Sequence, residues 1–309
     1  TVITFDRSLG ERPEGVVLDR RGNLYVSLAP IGQILKLDAD DPFPVPTLFA
    51  VLEPEPLGSG TLGLEVDRRG NVYAAVASFK PDSHGVWRIT PKGKKSRLPG
   101  SEAIVFPNSL VFDERSNLYV TDTLGSAVWR IPPGGAAEVW ASDVLLGGIP
   151  SVPGFPPLGA NGITYHWRKL YVANSTRGQI LKIRVRHDGS AGAVEPVTAG
   201  VDFDADGNLV GDFSLFPVDG IASDVVGNLY PLLVGAHKLV RLRPDGTGLT
   251  ELAGPGDGLD FPASAAFGAS RGLRTTVFIT NLSITDEIDN PAVLKMDVGI
   301  PGPPVLGKD

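Results

Sequence analysis

The chain has 309 residues, no cysteine, and a net charge of −7 from 28 basic and 35 acidic residues. Lack of cysteine excludes disulfide staples, thiol nucleophiles and thiolate metal sites. Charges of both signs are interspersed, with no basic run longer than GKKSR at 93–97, which removes the electrostatic footprint of a nucleic-acid binder.

In chain order, a short strand is predicted at residues 2–5 (VITF). One grammar then recurs six times: PEGVVLDRRGNLYVS (13–27), TLGLEVDRRGNVYAA (61–75), PNSLVFDERSNLYVT (107–121), ANGITYHWRKLYVAN (160–174), VDGIASDVVGNLYPL (218–232) and PASAAFGASRGLRTTVFIT (262–280). In each copy a variable residue, a small residue and an apolar pair open a strand. A turn such as Arg21-Gly22-Asn23 reverses it, and a second apolar strand follows, which reads as a β-hairpin. Third strands are predicted at 33–37, 85–89, 127–131, 179–183, 238–242 and 292–296. Outer strands follow in most copies, for example at 47–52 and 137–141.

A four-stranded meander recurring every 45 to 58 residues, counted between positions 14, 62, 108, 161, 219 and 264, predicts an all-β, six-bladed β-propeller filling residues 1–309 as one domain. The sixth copy runs into GIPGPPVLGKD without an outer strand. Residues 2–5 are therefore expected to complete blade six, which removes an open sheet edge and ties the termini together. A stack of β-sandwich modules is the poorer fit, because about 50 residues per repeat are too few to bury two sheets.

The first strand of every propeller blade lines the central channel, so the opening residues Glu14, Leu62, Asn108, Asn161, Asp219 and Ser264 are expected to converge there. Four of them offer carboxylate or amide oxygens. Two carboxylates in one buried place need a cation or protons, and the amides add uncharged oxygens, a donor set suited to calcium. Asn and Asp at strand starts also serve turns, but four at one repeat position are expected to form a metal site. Zinc, manganese or magnesium are the other candidate ions.

On these motifs, PEG at 13–15, PNS at 107–109, ANG at 160–162 and VDG at 218–220, the chain resembles the senescence marker protein/gluconolactonase/luciferin-regenerating-enzyme superfamily, with diisopropyl fluorophosphatase and the paraoxonases as relatives. The resemblance spans all six blades. It implies a metal-dependent hydrolase acting on a lactone or related ester, with Glu14, Asn108, Asn161 and Asp219 as ligands and Asp219 also acting as base or nucleophile. Asn108, Leu62, Phe106, Ser264 and His84 are the expected substrate contacts.

Two departures point away from a sugar-acid substrate. Phe106 stands where sugar lactonases of this kind are expected to carry an arginine, and Leu62 where paraoxonase-like members place a histidine. The apolar, proline-rich segments 41–58 and 144–160 are expected at the channel mouth, so an apolar substrate is favoured. Pocket-only chemistry, such as a cyclase or condensing enzyme, and a non-catalytic ligand-binding propeller are the alternatives.

Other signals carry less. Gly268-Ala269-Ser270-Arg271-Gly272 matches a nucleophile elbow by letter but falls at a hairpin turn. Asp202, Asp204 and Asp206 mimic half a calcium loop but lack its closing glutamate. His84 and His237 precede third strands near the expected mouth, whereas His166 and His187 fall at the far face. Trp87, Trp129 and Trp140 fit packing between blades. The expected partner is a small molecule, with no nucleic acid or membrane, and the chain is expected to be monomeric. The residues given are expected to be soluble, and secreted or periplasmic if a signal peptide preceded Thr1.

Overall fold

The computed structural model describes residues 1–52, 60–78, 80–149, 156–284 and 288–307. Its strands form six four-stranded antiparallel meanders and one extra hairpin. The inner strands are Pro13–Leu18, Gly60–Val66, Pro107–Phe112, Ala160–His166, Val218–Ser223 and Pro262–Phe267. Each contacts its neighbour around the ring, the first meeting the last, so the propeller closes.

The N-terminal strand Ile3–Thr4 pairs with Ala292–Asp297 as the outer strand of blade six, in the register Ile3 to Val293 and Thr4 to Ala292. That is the closure expected of residues 2–5. Third strands match their expected positions to within two residues. An additional hairpin, Val201–Phe203 with Leu209–Gly211, stands between blades four and five, and Asp204 at its tip accepts only its own turn: the backbone of Asp206 and Asn208 and the Asn208 amide. Asp204 and Asp206 thus belong to a solvated turn, while Asp202 on the strand before it accepts from Arg177 Nη1 at 2.8 Å.

Stability comes from the faces between blades. Six apolar clusters lie one to each blade interface, for example Tyr25, Ile34 and Ala50 of blade one against Val66, Val72 and Val76 of blade two. Burying each such side chain stabilises by roughly 1.5–3 kcal/mol. Rings meet edge to face in four of these interfaces, Tyr25 with Phe49, Tyr73 with Phe112, Tyr119 with Trp140 and Tyr230 with Phe267.

The hairpin turns at the far end share a polar lock. Asp19 accepts the backbone N–H of Arg21 and Asn23 on one oxygen and the Asn23 amide and Tyr25 hydroxyl on the other. The same set recurs at Asp67, Asp113 and Asp224. This explains the repeated Asp, Asn and Tyr spacing: the carboxylate satisfies the turn while the tyrosine ring fills the interface behind it. Glycine at Gly22 takes the φ of 82° that the turn requires.

Segment 41–58 splits. Residues 53–59 lie outside the described residues. The stretch before Thr47–Val51 joins a third strand to an outer one and sits with the far turns, since Asp40 lies against Gly22 and Ser270. Phe43 and Val45, though exposed, are therefore not part of the channel mouth. Among the described residues no helix is long and apolar enough to cross a membrane.

Candidate metal centre in the channel

The small residue after each opening position sets the ring. A Cβ on Gly15 would run into the Leu62 carbonyl, on Gly63 into Asn108, on Gly162 into Asp219 and on Gly220 into Ala263. A hydroxyl on the second strand bridges the ring at the two positions where the small residue is serine, as one also does at Gly15. Thr121 Oγ1 accepts from Ser109 N at 2.9 Å and donates to the Asn161 carbonyl at 2.6 Å. Thr280 Oγ1 accepts from Ser264 N at 3.0 Å and donates to the Glu14 carbonyl at 2.5 Å.

These contacts fix the ring members as Glu14, Leu62, Asn108, Asn161, Asp219 and Ala263. Five agree with the sequence expectation. The sixth is one residue earlier, because Ser264 is matched to Ser109 by its bond to Thr280 and so belongs to the small-residue ring. Its half-buried side chain lines the cavity beyond the ring.

Glu14 and Asn108 are 7% and 8% exposed, and Asp219 is half-buried. Glu14 Oε2 is buried with no hydrogen-bond partner among the described residues. Burial pushes the Glu14 carboxyl well above the usual range, and the Asp219 charge pushes the same way. Burial also raises Asp219 to about 7, against a lowering side-chain hydrogen bond with Asn161. Asn161 is buried, and its amide donates to Ser175 Oγ at 2.9 Å.

Leaving an acceptor of a buried carboxylate unmade costs on the order of 1–3 kcal/mol or more. Two raised carboxylates, close enough that the Asp219 charge opposes ionisation of Glu14, beside two amides, suit a hard divalent cation. Among the described residues no three His, Asp or Glu side chains gather as a metal cluster, so an ion here relies on the amide oxygens of Asn108 and Asn161.

Leu62 is half-buried on the ring. Phe106, also half-buried, precedes Asn108 and is held by backbone: its N–H donates to Asp122 Oδ1 at 2.9 Å and its carbonyl accepts from Thr123 N at 3.1 Å. Asp122, 1% exposed, accepts four donors, from Val105 N, Phe106 N, Gly125 N and Trp129 Nε1.

His84 is placed differently from its expected role as a substrate contact. Its Nδ1 accepts from Ser78 N at 3.1 Å and its Nε2 meets the Ile104 carbonyl at 2.6 Å. Both ring nitrogens are thus engaged with backbone, and the side chain braces the segment leading to Phe106. Other apolar groups near the mouth are Val105, Leu124, Val144 and Phe213, all exposed. Residues 150–155 of the expected mouth segment lie outside the described residues.

Beyond the ring, the inner strands enclose a cavity of ≈ 150 Å³ floored by Pro303, Pro304, Val305 and Leu306 of the C-terminal tail. The tail crosses the far end and is tied down there: Gly302 N donates to the Arg274 carbonyl at 2.8 Å, Val225 N to Pro301 at 2.9 Å, and Arg20 and Arg68 reach the Val305 carbonyl. Among the described residues, Glu65 is the one carboxylate lining this cavity. Burial pushes it up to about 7, although it accepts from Val66 N at 2.8 Å.

Several supporting residues escape a reading for ligands: Ser27, Thr121, Thr280, Ser175 and Asp122. The available signal is a polar residue ending or interrupting an apolar second strand, as in LYVSL and LYVTD. Ser27 Oγ accepts from Gly15 N and donates to the Leu62 carbonyl, both at 2.7 Å. It thereby holds two neighbouring ring positions in register.

No protein-family model and no curated protein matches the chain. Solved structures do match it. A calcium-binding protein, regucalcin, from Agrobacterium tumefaciens str. C58 is 12% identical, with 96% of this chain and 93% of that one covered at a TM-score of 0.69. Luciferin-regenerating enzyme is 14% identical over 96% and 95% of the two chains at 0.69. A gluconolactonase from Xanthomonas campestris is 16% identical over 97% and 94% at 0.64. These names belong to the superfamily that the sequence resembles. At such identities the likeness is one of fold, and it extends over nearly the whole of each chain.

Proposed function

We propose that the chain is a divalent-cation-dependent hydrolase that opens a lactone or related ester, with Glu14, Asn108, Asn161 and Asp219 holding the ion. The observation that carries this reading is the pair of buried, raised carboxylates Glu14 and Asp219 on one ring, with the Asp219 charge opposing ionisation of Glu14 and Glu14 Oε2 buried and unpartnered among the described residues. The gluconolactonase and regucalcin neighbours support it, the first by its activity and the second as a calcium-binding protein. Calcium is the ion that best suits this all-oxygen set.

When bound, a divalent cation supplies Lewis-acid polarisation of a substrate carbonyl and counter-charge for the carboxylates. The chain's own residues do the rest. Asp219 is the ring carboxylate partly open to solvent; it takes the proton from the water that attacks the acyl carbon and returns it to the alkoxide oxygen released as the ring C–O bond breaks. Asn161, held by Ser175, fixes the Asp219 side. Glu14 is deeper and contributes charge. Asn108 follows two residues after the braced Phe106, and the backbone bonds to Asp122 support a reading in which ligand and apolar wall move as one.

Leu62 and Phe106 present apolar surface where a polar grip would suit a sugar acid, which favours an aliphatic or aromatic lactone. A carboxylate base contributes about 10²–10⁴-fold to such a reaction. Asp219→Asn is therefore expected to lower kcat about 10³-fold or more while leaving the melting transition cooperative. Unchanged turnover on every lactone hydrolysed by the unmodified protein would overturn the assignment.

A further inference from the structure

Besides Glu14 Oε2, two more buried oxygens among the described residues lack a partner, both outside the ring at the mouth end of blade six. Asp260 is fully buried. Its Oδ2 accepts from the Ser283 hydroxyl and from Asn290 N at 3.0 Å. Its Oδ1 is buried with no hydrogen-bond partner among the described residues. His237 Nδ1 is 3.5 Å away, but its lone pair accepts the Phe261 N–H at 2.8 Å, so that nitrogen offers the carboxylate no proton. The ion pairs of the described residues bring no lysine or arginine to Asp260.

Asn281, also fully buried, belongs to the same network. Its amide donates to the Gly258 carbonyl at 2.8 Å and to the Asn290 carbonyl at 3.1 Å, which fixes the side chain's orientation. Asn281 Oδ1 is then left buried without a donor. The corresponding residues of blades three and four are satisfied: Asp122 Oδ1 accepts from Gly125 N at 2.9 Å, and Asn174 Oδ1 from Arg177 N at 3.1 Å. Asn290 links the two orphans, donating its N–H to Asp260 and accepting from Asn281.

A buried water can satisfy an amide oxygen. It leaves the carboxylate charge uncompensated, and removing an unpaired charge from water costs several kcal/mol. A small hard cation answers both needs, since it neutralises the charge and accepts neutral oxygens. We propose that Asp260 and Asn281 form a second cation position, separate from the channel ring, occupied by a calcium-like ion that completes its shell with water.

Its place suggests what it stabilises. The ion would join the segment 254–261, which enters the inner strand, to the stretch around Ser283 and Asn290 that leads back into Ala292–Asp297. That is the blade closed by the N-terminal strand, so occupancy would strengthen ring closure without touching substrate. With two protein oxygens and one carboxylate, binding should be weaker than at the ring.

The test uses the full chain stripped with chelator and titrated with calcium alone in a calorimeter. Two classes of site are expected. Asp260→Asn should weaken the lower-affinity class by about 100-fold and leave the tighter one; Asp219→Asn should do the reverse. A single class lost only with Asp260→Asn would support this site while refuting the ring. A single class lost only with Asp219→Asn would overturn this site. Should Asp260→Asn fail to fold, crystals of the unmodified protein soaked in manganese decide: an anomalous peak beside Asp260 is expected, and a water or a hydrogen-bonded neutral acid there would sink the proposal.

Discussion

Consider the replacement Asp219→Asn in protein freed of metal. The unfolded chain ionises this carboxyl at about 3.8 and the native ring at about 7. Between those values the native state holds a proton that the unfolded state has given up. Stability therefore falls as pH rises through this window, the penalty being absent below about pH 4 and complete above about pH 7. Each pKa unit is about 1.4 kcal/mol, so the three-unit gap destabilises the native state by on the order of 4 kcal/mol. Asparagine removes that penalty, and it also removes the charge that opposes ionisation of Glu14. At an unfolding entropy of about 2 cal/mol/K per residue, this is a rise in Tm of roughly 6 °C at pH 8. Scanning calorimetry of both proteins in chelator, at pH 4 and pH 8, reads it directly. The variant should melt higher at pH 8, equal the parent at pH 4, and lose its advantage when calcium is added. Equal melting of the two metal-free proteins at pH 8 would refute the reasoning.

Three further outcomes follow from the same geometry. Glu65→Gln keeps an acceptor for Val66 N and removes a carboxyl raised from 4.5 to about 7; it should stabilise the fold by roughly 3 kcal/mol above pH 7 and by nothing near pH 4, read by denaturant unfolding. Phe106→Arg should move kcat/KM toward sugar-acid lactones over aliphatic ones by about 10–100-fold, with calcium affinity unchanged by titration; a change in affinity without a change in preference would place Phe106 outside the substrate wall. Truncation after Ile300 removes the cavity floor and the half-buried Val305 and Leu306, so it should cost roughly 2–3 kcal/mol in thermal or denaturant melts while calcium still binds at the other end of the channel.

The hairpins could be read directly from the sequence because turns such as Arg21-Gly22-Asn23 and alternating apolar residues repeat at a fixed place. The closing strand followed from what was missing, an outer strand after residue 296. The ring at Glu14, Leu62, Asn108, Asn161 and Asp219 was visible because each residue stands before the small one that lets adjacent inner strands approach. Blade six misleads for the same reason. In Pro262-Ala263-Ser264 the only polar side chain is the small residue itself, and a search for donors lands one place late.

What stayed hidden depends on contacts between blades. Ser27, Thr121 and Thr280 look like polar blemishes in buried strands until their hydroxyls are seen to span to the next blade's carbonyl. Phe43 and Val45 group with the mouth when segment 41–58 is read as one stretch, although they precede the outer strand Thr47–Val51 and so belong with the far turns. His84 sits beside the expected mouth in sequence, yet a backbone carbonyl twenty residues on claims its Nε2. The floor laid by Val305 and Leu306 has no periodic signature at all.

The central claim is best tried by hydrolysis of a panel of aliphatic, aromatic and sugar lactones, using protein stripped of metal and then supplied with calcium, manganese or zinc. Turnover that disappears with chelation, returns with the ion, and favours the apolar lactones is the predicted result. Silence across the panel with an ion demonstrably bound at the ring, or turnover indifferent to chelation, would contradict it.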